Sequence, residues 1–341
     1  QVALPLIAAP ICVLLRRPGL AWAFATLVSW ALFAISILLL IRVMSDGVIS
    51  YHLGGWAPPF GIEYRLDAVN GFVLLVITGI AAVVTPYARQ SVAQEIAAPR
   101  HNLFYGIYLL ALTGLLGITA TGDAFNIYVF MEISSLASYV LIALGPSRRA
   151  RAAAFQYLIM GTIGATFLLI GIGLLYMMTG TLNLADLSVR IHEAPDMRPI
   201  YAAFAFVTIG VLIKLALFPL HIWLPNAYTY APSAVSAFLA ASATKVGAYV
   251  LLRFVFTLFG PEFSFERMPL MEILMPLSLA AILVGSGVAI FQNNLKRLFA
   301  YSSIGQIGYL ALGISFASTS GLTGAIVHIF NHAMMKGGLF L

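Results

Sequence analysis

The chain has 341 residues, of which 61% are hydrophobic and only 9% charged, with a mean hydropathy of +0.98. A soluble domain carries roughly a quarter charged residues, so the composition excludes a soluble globular protein and indicates an all-α chain that crosses a membrane many times. The net charge of +6 does not point to nucleic acid, because the arginines gather in alternate breaks between apolar runs, and the single cysteine, Cys12, excludes a disulfide framework or thiolate metal cluster.

A membrane-spanning helix needs about 20 apolar residues. About eleven candidate runs follow one another, at roughly 2–15, 20–42, 68–87, 102–120, 124–144, 152–179, 199–220, 233–257, 270–291, 298–316 and 319–341. The first is short for a full span. The chain opens on Gln rather than Met and closes at Leu341 inside an apolar helix pattern, so a piece of a longer protein is expected.

Breaks 1–2, 3–4, 5–6 and 9–10 carry Arg16, Arg17, Arg89, Arg100, Arg148, Arg149, Arg151, Lys296 and Arg297 against one acid, Glu95. The acids Asp46, Glu63, Asp67, Asp186, Glu193, Asp196, Glu262, Glu266 and Glu272 fall in the other set. Positive charge marks the cytoplasmic side, which predicts an outward N-terminus and cytoplasmic arginine-rich loops. Of the two longer polar connections, about 43–66 and 180–198, the second predicts a short amphipathic helix at the outer surface.

The chain has fourteen arginines and four lysines. Arginine keeps its charge in any setting, whereas the proton affinity of lysine responds readily to burial. Here nearly all of the arginines lie in or beside polar breaks, while Lys214, Lys245 and Lys336 lie inside apolar runs. That distribution suits proton movement.

Glu132 sits well inside the fifth run, where an unpaired carboxylate costs about 2.5–3.5 kcal/mol. It should face the bundle and find a partner, with Lys214 the obvious candidate. Pairing favours the charged forms and desolvation the neutral ones, so a modest electrostatic change could load or release a proton. A purely structural ion pair is the competing reading. Asp123, at the start of the same run, reads as an N-terminal or boundary acid.

Lys214 precedes FPLHIWLP in the seventh run. Pro219 and Pro225 lack an N–H, and each ring clashes with the carbonyl four residues back, so the helix should break just after Lys214. Irregular backbone at this depth is tolerated only inside protein or along a wet cavity. Lysine and break together favour an ion path over a plain proline kink with a snorkelling lysine. His221 adjoins the break as a possible relay or cap.

Lys245 is near the middle of the eighth run, too deep to snorkel; a helix-packing contact is the alternative. Arg253, two turns on, reads as interfacial. Lys296 and Arg297 open the tenth run as a topogenic pair, with a transport role for Lys296 left open. His328, His332 and Lys336 are spaced i, i+4, i+8 and form one helical stripe. Imidazole donates at one nitrogen and accepts at the other, so the stripe suits a proton relay. Structurally satisfied histidines are the alternative. A haem or metal reading is weaker: two histidines one turn apart cannot ligate opposite faces of one haem, and no third metal ligand is evident.

The strings GDAFNIYVFMEISSLASYVL, IKLALFPLHIWLPNAYTYAPSAVSAFLAASATKVGAYVLLR, NNLKRLFAYSSIGQIGY and HIFNHAMMKGGLFL closely resemble the antiporter-like membrane subunits of respiratory complex I. They look still more like the D-type subunit of the Mrp-type sodium/proton antiporters. The resemblance implies fourteen helices in inverted five-helix repeats with broken helices. On that pattern 1–341 is one membrane domain: helices 1–3 within about 1–100, a first repeat over 101–257 broken near 214–225, and an incomplete second repeat over 270–341.

It further implies that Glu132 and Lys214 form a carboxylate–lysine pair, that Lys245 connects onward, and that His328, His332 and Lys336 continue the line. The expectation is a proton-translocating subunit of a multisubunit monovalent cation/proton antiporter, without cofactor or metal of its own, held in the bilayer among other hydrophobic subunits and moving protons, with sodium the expected exchanged ion. The alternative is the proton-pumping subunit of an NADH:quinone oxidoreductase or membrane hydrogenase complex, in which case any redox chemistry belongs to partners.

Overall fold

The computed structural model describes residues 1–15 and 17–341; Arg16, one of the arginines assigned above to the first break, lies outside the described residues. Thirteen helices and one small hairpin run in the order α1 (Ala3–Leu14), α2 (Pro18–Asp46), β1 (Ile49–His52), β2 (Glu63–Leu66), α3 (Ala68–Glu95), α4 (His101–Ala120), α5 (Ala124–Ala143), α6 (Arg148–Thr179) and α7 (Leu184–Arg190). They continue with α8 (Arg198–Leu215), α9 (Trp223–Tyr230), α10 (Ser233–Leu252), α11 (Leu270–Ile290), α12 (Leu295–Ser315) and α13 (Thr319–Phe340).

Each of the eleven apolar runs contains a helix. Among the described residues, nine helices are long and apolar enough to cross a membrane. Of the other two, α1 has only 12 residues. The second, α13, is long enough at 22 residues, but His328, Asn331, His332 and Lys336 lower its hydropathy. The 180–198 connection holds the short helix α7, capped by the Asn183 side chain, which accepts from the N–H groups of Ala185 and Asp186.

The helices pack around α10, which is buried along its whole length and contacts α3, α4, α8, α12 and α13. Its sequence explains the position. Ala234, Ala237, Ala240, Ala241, Ala243, Gly247 and Ala248 present little side chain, so neighbouring backbones can approach closely, as in most intramembrane helix contacts. A Cβ on Gly247 would lie 3.2 Å from the Leu215 Cα, at the end of α8.

The seventh run does not remain helical to residue 220. The α8 helix stops at Leu215, and Ala216 adopts a left-handed conformation with φ 61°. Ala216 N–H donates to the Ile213 carbonyl and Leu217 N–H to that of Leu212, both at 3.1 Å, the two bonds of a Schellman ending. Alanine in this conformation costs roughly 1–2 kcal/mol, and the Trp223 indole N–H secures the same turn by donating to the Ile213 carbonyl at 3.0 Å.

The chain has therefore left the helix three residues before Pro219. Pro225 does not break a helix either, contrary to the sequence expectation. It occupies the first turn of α9, where the missing N–H is not required.

Candidate functional site

Lys214, in the last turn of α8, is 8% exposed. Its ammonium donates to the Ser135 hydroxyl at 2.5 Å and to the Tyr157 hydroxyl at 3.3 Å. Tyr157 is stacked flat on Trp223, with centroids 3.8 Å apart, and meets Tyr139 edge-on at 4.7 Å. The lysine is thus held by one hydroxyl from α5 and one from α6, against an aromatic wall built partly by the segment after the break.

Glu132 is half-buried on α5, one turn before Ser135. It makes no ion pair within 4 Å among the described residues, so the direct contact expected with Lys214 is replaced by Ser135. Glu132 and Lys214 instead share a cavity of about 10 Å³, with Ser135, Tyr157, Gly161 and Trp223 in its wall. That is about the least volume that holds a water. Gly161 makes room for the aromatic wall, because a Cβ there would overlap the Tyr139 hydroxyl at 1.8 Å and force that ring to move.

Lys245 is fully buried on α10 and donates to the carbonyl of Ala240, with the Thr244 hydroxyl at 3.4 Å. Leu215, next to Lys214, packs on Gly247, two residues from Lys245. On the other side of α10, Ala241 faces Gly337, beside Lys336. Lys336 is 2% exposed and donates to the Phe299 carbonyl and the Ser302 hydroxyl of α12, both at 3.0 Å.

His332 is fully buried, and neither ring nitrogen has a hydrogen-bond partner among the described residues; the same holds for Nε2 of His328. The two imidazoles stack with centroids 5.9 Å apart. Glu132, Lys214, Lys245, His328, His332 and Lys336 therefore sit on helices linked across the bundle, α5 to α8 through the Lys214–Ser135 hydrogen bond and α8 to α10 to α13 by packing.

His221 and Lys296 are placed differently. His221 lies between α8 and α9, its ring 5.3 Å from that of Phe218 and its Nδ1 buried without a partner among the described residues. Lys296 donates at 3.2 Å to the carbonyl of Ala231, the C-cap of α9. Glu95 accepts from the Ser233 N–H at 3.0 and 3.1 Å. A cation at the end of one helix and an anion at the start of the next complement both dipoles and hold the α9–α10 junction. Asp123 is the N-cap of α5, accepting from the Asn126 N–H at 2.7 Å.

Sequence reasoning missed Ser135, Tyr157 and Tyr139. Ser135 had a usable signal, the i+3 spacing from Glu132 on one helix face. The tyrosines had none, since an aromatic residue in an apolar run reads as packing. It also missed a polar cluster at the hairpin end. There Arg253, 13% exposed in its side chain, reaches Asp67, the N-cap of α3, and Asn70 in its first turn, both at 2.5 Å, and the Tyr249 hydroxyl at 3.1 Å.

A bundle of apolar helices with a broken helix and a buried file of lysines and histidines defines a multi-pass membrane subunit of the antiporter-like class. Residues 121–341 match the family described as NADH:quinone oxidoreductase/Mrp antiporter, transmembrane, and the chain belongs to it. The N subunit of the NADH-quinone oxidoreductase of Desulforudis audaxviator is 47% identical over 294 residues, covering 85% of this chain and 57% of that protein. The D-type subunit of the Na(+)/H(+) antiporter of Alkalihalophilus pseudofirmus is 31% identical over 307 residues, covering 90% and 61%.

Among solved structures, a chain of the membrane-bound sulfane sulfur reductase, an archaeal respiratory membrane complex, superposes with a TM-score of 0.90 at 30% identity, covering 99% of this chain and 69% of that one. A chain of the Mrp complex from a Dietzia species gives 0.89 at 27%, covering 99% and 62%. The chain thus spans about three-fifths of the length of the curated relatives it matches.

Proposed function

We propose that this chain is the proton-translocating part of a subunit in a multisubunit membrane complex, and that protons pass along Glu132, Lys214, Lys245, His332 with His328, and Lys336. The observation that carries the proposal is Lys245. A lysine at mid-membrane costs about 2.5–3.5 kcal/mol even on insertion scales, yet this one is fully buried in the most buried helix and donates only to hydroxyl and carbonyl oxygens. Such a group supports no fold better than a leucine would, whereas a proton carrier needs it.

Between Glu132 and Lys214 a proton passes from the neutral carboxyl to the neutral amine, or back from ammonium to carboxylate; along the lysines and histidines each transfer moves one proton from an ammonium or imidazolium to a neutral neighbour. Lys214 exchanges with Glu132 through their shared cavity and with Lys245 across the α8–α10 contact. The unpartnered nitrogens of His332 and His328 then suit a group that both accepts and donates. Charges several ångströms apart in a low-dielectric interior interact by kcal/mol, so a protonation change here couples to neighbouring subunits.

The same reading puts the arginine-rich helix ends in the cytoplasm and the hairpin end outside. It takes 101–257 as one five-helix unit and 270–341 as the start of its inverted partner. The partners are other hydrophobic subunits, and the first assignment is a sodium/proton antiporter, as the relatives named for an Na(+)/H(+) antiporter suggest at 31% identity.

The 47% identical relative, whose name is that of a quinone oxidoreductase component, favours a second assignment, the same path driven by redox partners. The full-length protein purified with its partners and reconstituted in vesicles separates the two. Sodium-dependent proton movement without an electron donor supports the antiporter; proton movement only on adding donor and quinone supports the redox-driven complex; none under either condition contradicts proton translocation.

A further inference from the structure

The polar cluster at the hairpin end has no part in the path above, yet it lies on the same helix as its central lysine. Lys245 and Tyr249 of α10 and Arg253, its C-cap, are spaced i, i+4, i+8 and share one face, spanning about 12 Å along the axis. At the far end a cavity of about 160 Å³ opens beside Arg253, with Asp67, Asn70, Thr121, Ser188 and Tyr249 in its wall. Polar groups therefore run from the cavity to within one turn of Lys245.

The Arg253 guanidinium stands in this line. One Nη donates to Asp67 and to the Asn70 side-chain oxygen, and Nε donates to the Tyr249 hydroxyl. The Tyr249 oxygen also accepts from the Asn70 amide at 2.7 Å, and its proton goes to the Thr119 carbonyl at 3.1 Å. With two donors and one acceptor already bound, the hydroxyl has no site left for a water.

The backbone at this point is also unusual. From Arg253 to Leu258 the helix winds as a π-helix, a wide turn that is rare and frequent at functional sites. Return of this segment to α-helical winding would shift the residues after Arg253 by about one position, roughly 100°, and with them the Thr257 hydroxyl, 3.5 Å from an Arg253 Nη.

We propose that the cavity is the mouth of a branch by which water and protons reach Lys245 from the hairpin end, that Arg253 held by Asp67 is its plug, and that Tyr249 is a further relay residue. This deepens the proton-path reading and rests on it. With Arg253 withdrawn, the Tyr249 oxygen accepts a proton from a protonated water in the cavity, and the hydroxyl's own proton leaves the Thr119 carbonyl for the neutral amine of Lys245 by way of water, so the hydroxyl is restored and the positive charge ends on Lys245.

The test reads water access, which does not depend on transport. In the full-length protein within its complex, Cys12 is replaced by Ala and Thr119→Cys serves as reporter, since Thr119 is fully buried below Arg253. An impermeant methanethiosulfonate reagent is applied to vesicles of either orientation. Asp67→Asn is the releasing variant, because asparagine keeps the helix cap as well as aspartate does and only the charge is lost. Labelling is expected to rise at least tenfold in Asp67→Asn, from the hairpin side alone, with a proton leak that Tyr249→Phe suppresses.

Arg253→Lys, which keeps the charge but lacks the planar fork that spans Asp67, Asn70 and the Tyr249 hydroxyl, should open the site too and covers the case in which Asp67→Asn fails to assemble. Protection of Thr119→Cys unchanged in both variants overturns the plug, leaving Asp67–Arg253 a structural tie. Opened labelling in a complex whose Lys214→Ala variant still moves protons would instead overturn the proton-path reading and leave the gate standing.

Discussion

Lys214 and Glu132 line one small cavity without touching, and the Ser135 hydroxyl, 2.5 Å from the ammonium, occupies the place of the carboxylate. A lysine with a neutral acceptor and a carboxylate within reach has two arrangements of similar cost, one paired and one apart. A permanent ion pair would hold both charges and resist transfer. The separation therefore suits a proton that comes and goes.

Ser135→Ala removes the nearest acceptor of the ammonium. Hydrogen bonds to charged groups are worth about 1.5–3 kcal/mol, so the variant should drive Lys214 toward Glu132 and slow proton movement about tenfold or more while the complex still assembles. Proton flux in vesicles, normalised to the assembled complex, measures it. Flux equal to the parent would show that Ser135 does not set the position of Lys214.

The α6–α8 contact sets where Lys214 lies. A Cβ on Gly210 would sit 2.6 Å from the Gly164 carbonyl and 2.8 Å from the Leu168 nitrogen, both backbone atoms that cannot yield. Gly210→Ala should cost about 1–3 kcal/mol, as overpacking does, seen as a lower unfolding temperature of the purified complex. An unchanged temperature would mean that the two helices do not approach this closely.

Much of this arrangement was legible in the sequence, and the reasons differ residue by residue. The break after Lys214 followed from two prolines in an apolar run, though a Schellman turn at Ala216, rather than proline clash, ends the helix. The stripe of His328, His332 and Lys336 followed from spacing alone. The role of Ser135 and the tyrosine wall did not, because Tyr157 and Trp223 meet only once α6 and the segment after the break are brought together. Arg253 read as interfacial; its partners Asp67 and Asn70 lie more than 180 residues away, and nothing local announces them.

The Asp67–Arg253 tie should respond to acid and not to base. Burial alone would raise the Asp67 carboxyl, but the hydrogen bond and charge of Arg253, with the N–H groups of Asn70 and Val69, hold it below its ordinary value. A carboxyl lowered in the folded state contributes fully above its unfolded value, near 3.9, and the contribution is lost as pH falls through the folded value. The difference in unfolding temperature between the parent and Asp67→Asn should be constant from about pH 5 to 8, begin to shrink near the unfolded value of about 3.9, and vanish only once the pH is below the lowered folded value. A difference that disappears already near pH 6 would contradict the tie.

Lys296 and Glu95 brace the α9–α10 junction. Glu95→Ala leaves the Ser233 N–H without its acceptor and should cost about 0.5–2 kcal/mol, as loss of a cap does. Lys296→Ala should cost less, about 0.3–1 kcal/mol, and leave proton movement within about twofold, the scale of so small a change. Loss of transport in an assembled Lys296→Ala complex would move that lysine from brace to relay.

The most direct test of the account is proton movement by the full-length complex carrying Lys214→Ala, in sealed vesicles with a pH-sensitive dye. The account predicts normal assembly with proton flux reduced to that of empty vesicles, and partial recovery in Lys214→Arg excluded because arginine does not release its proton. Undiminished flux in the Lys214→Ala complex would contradict it.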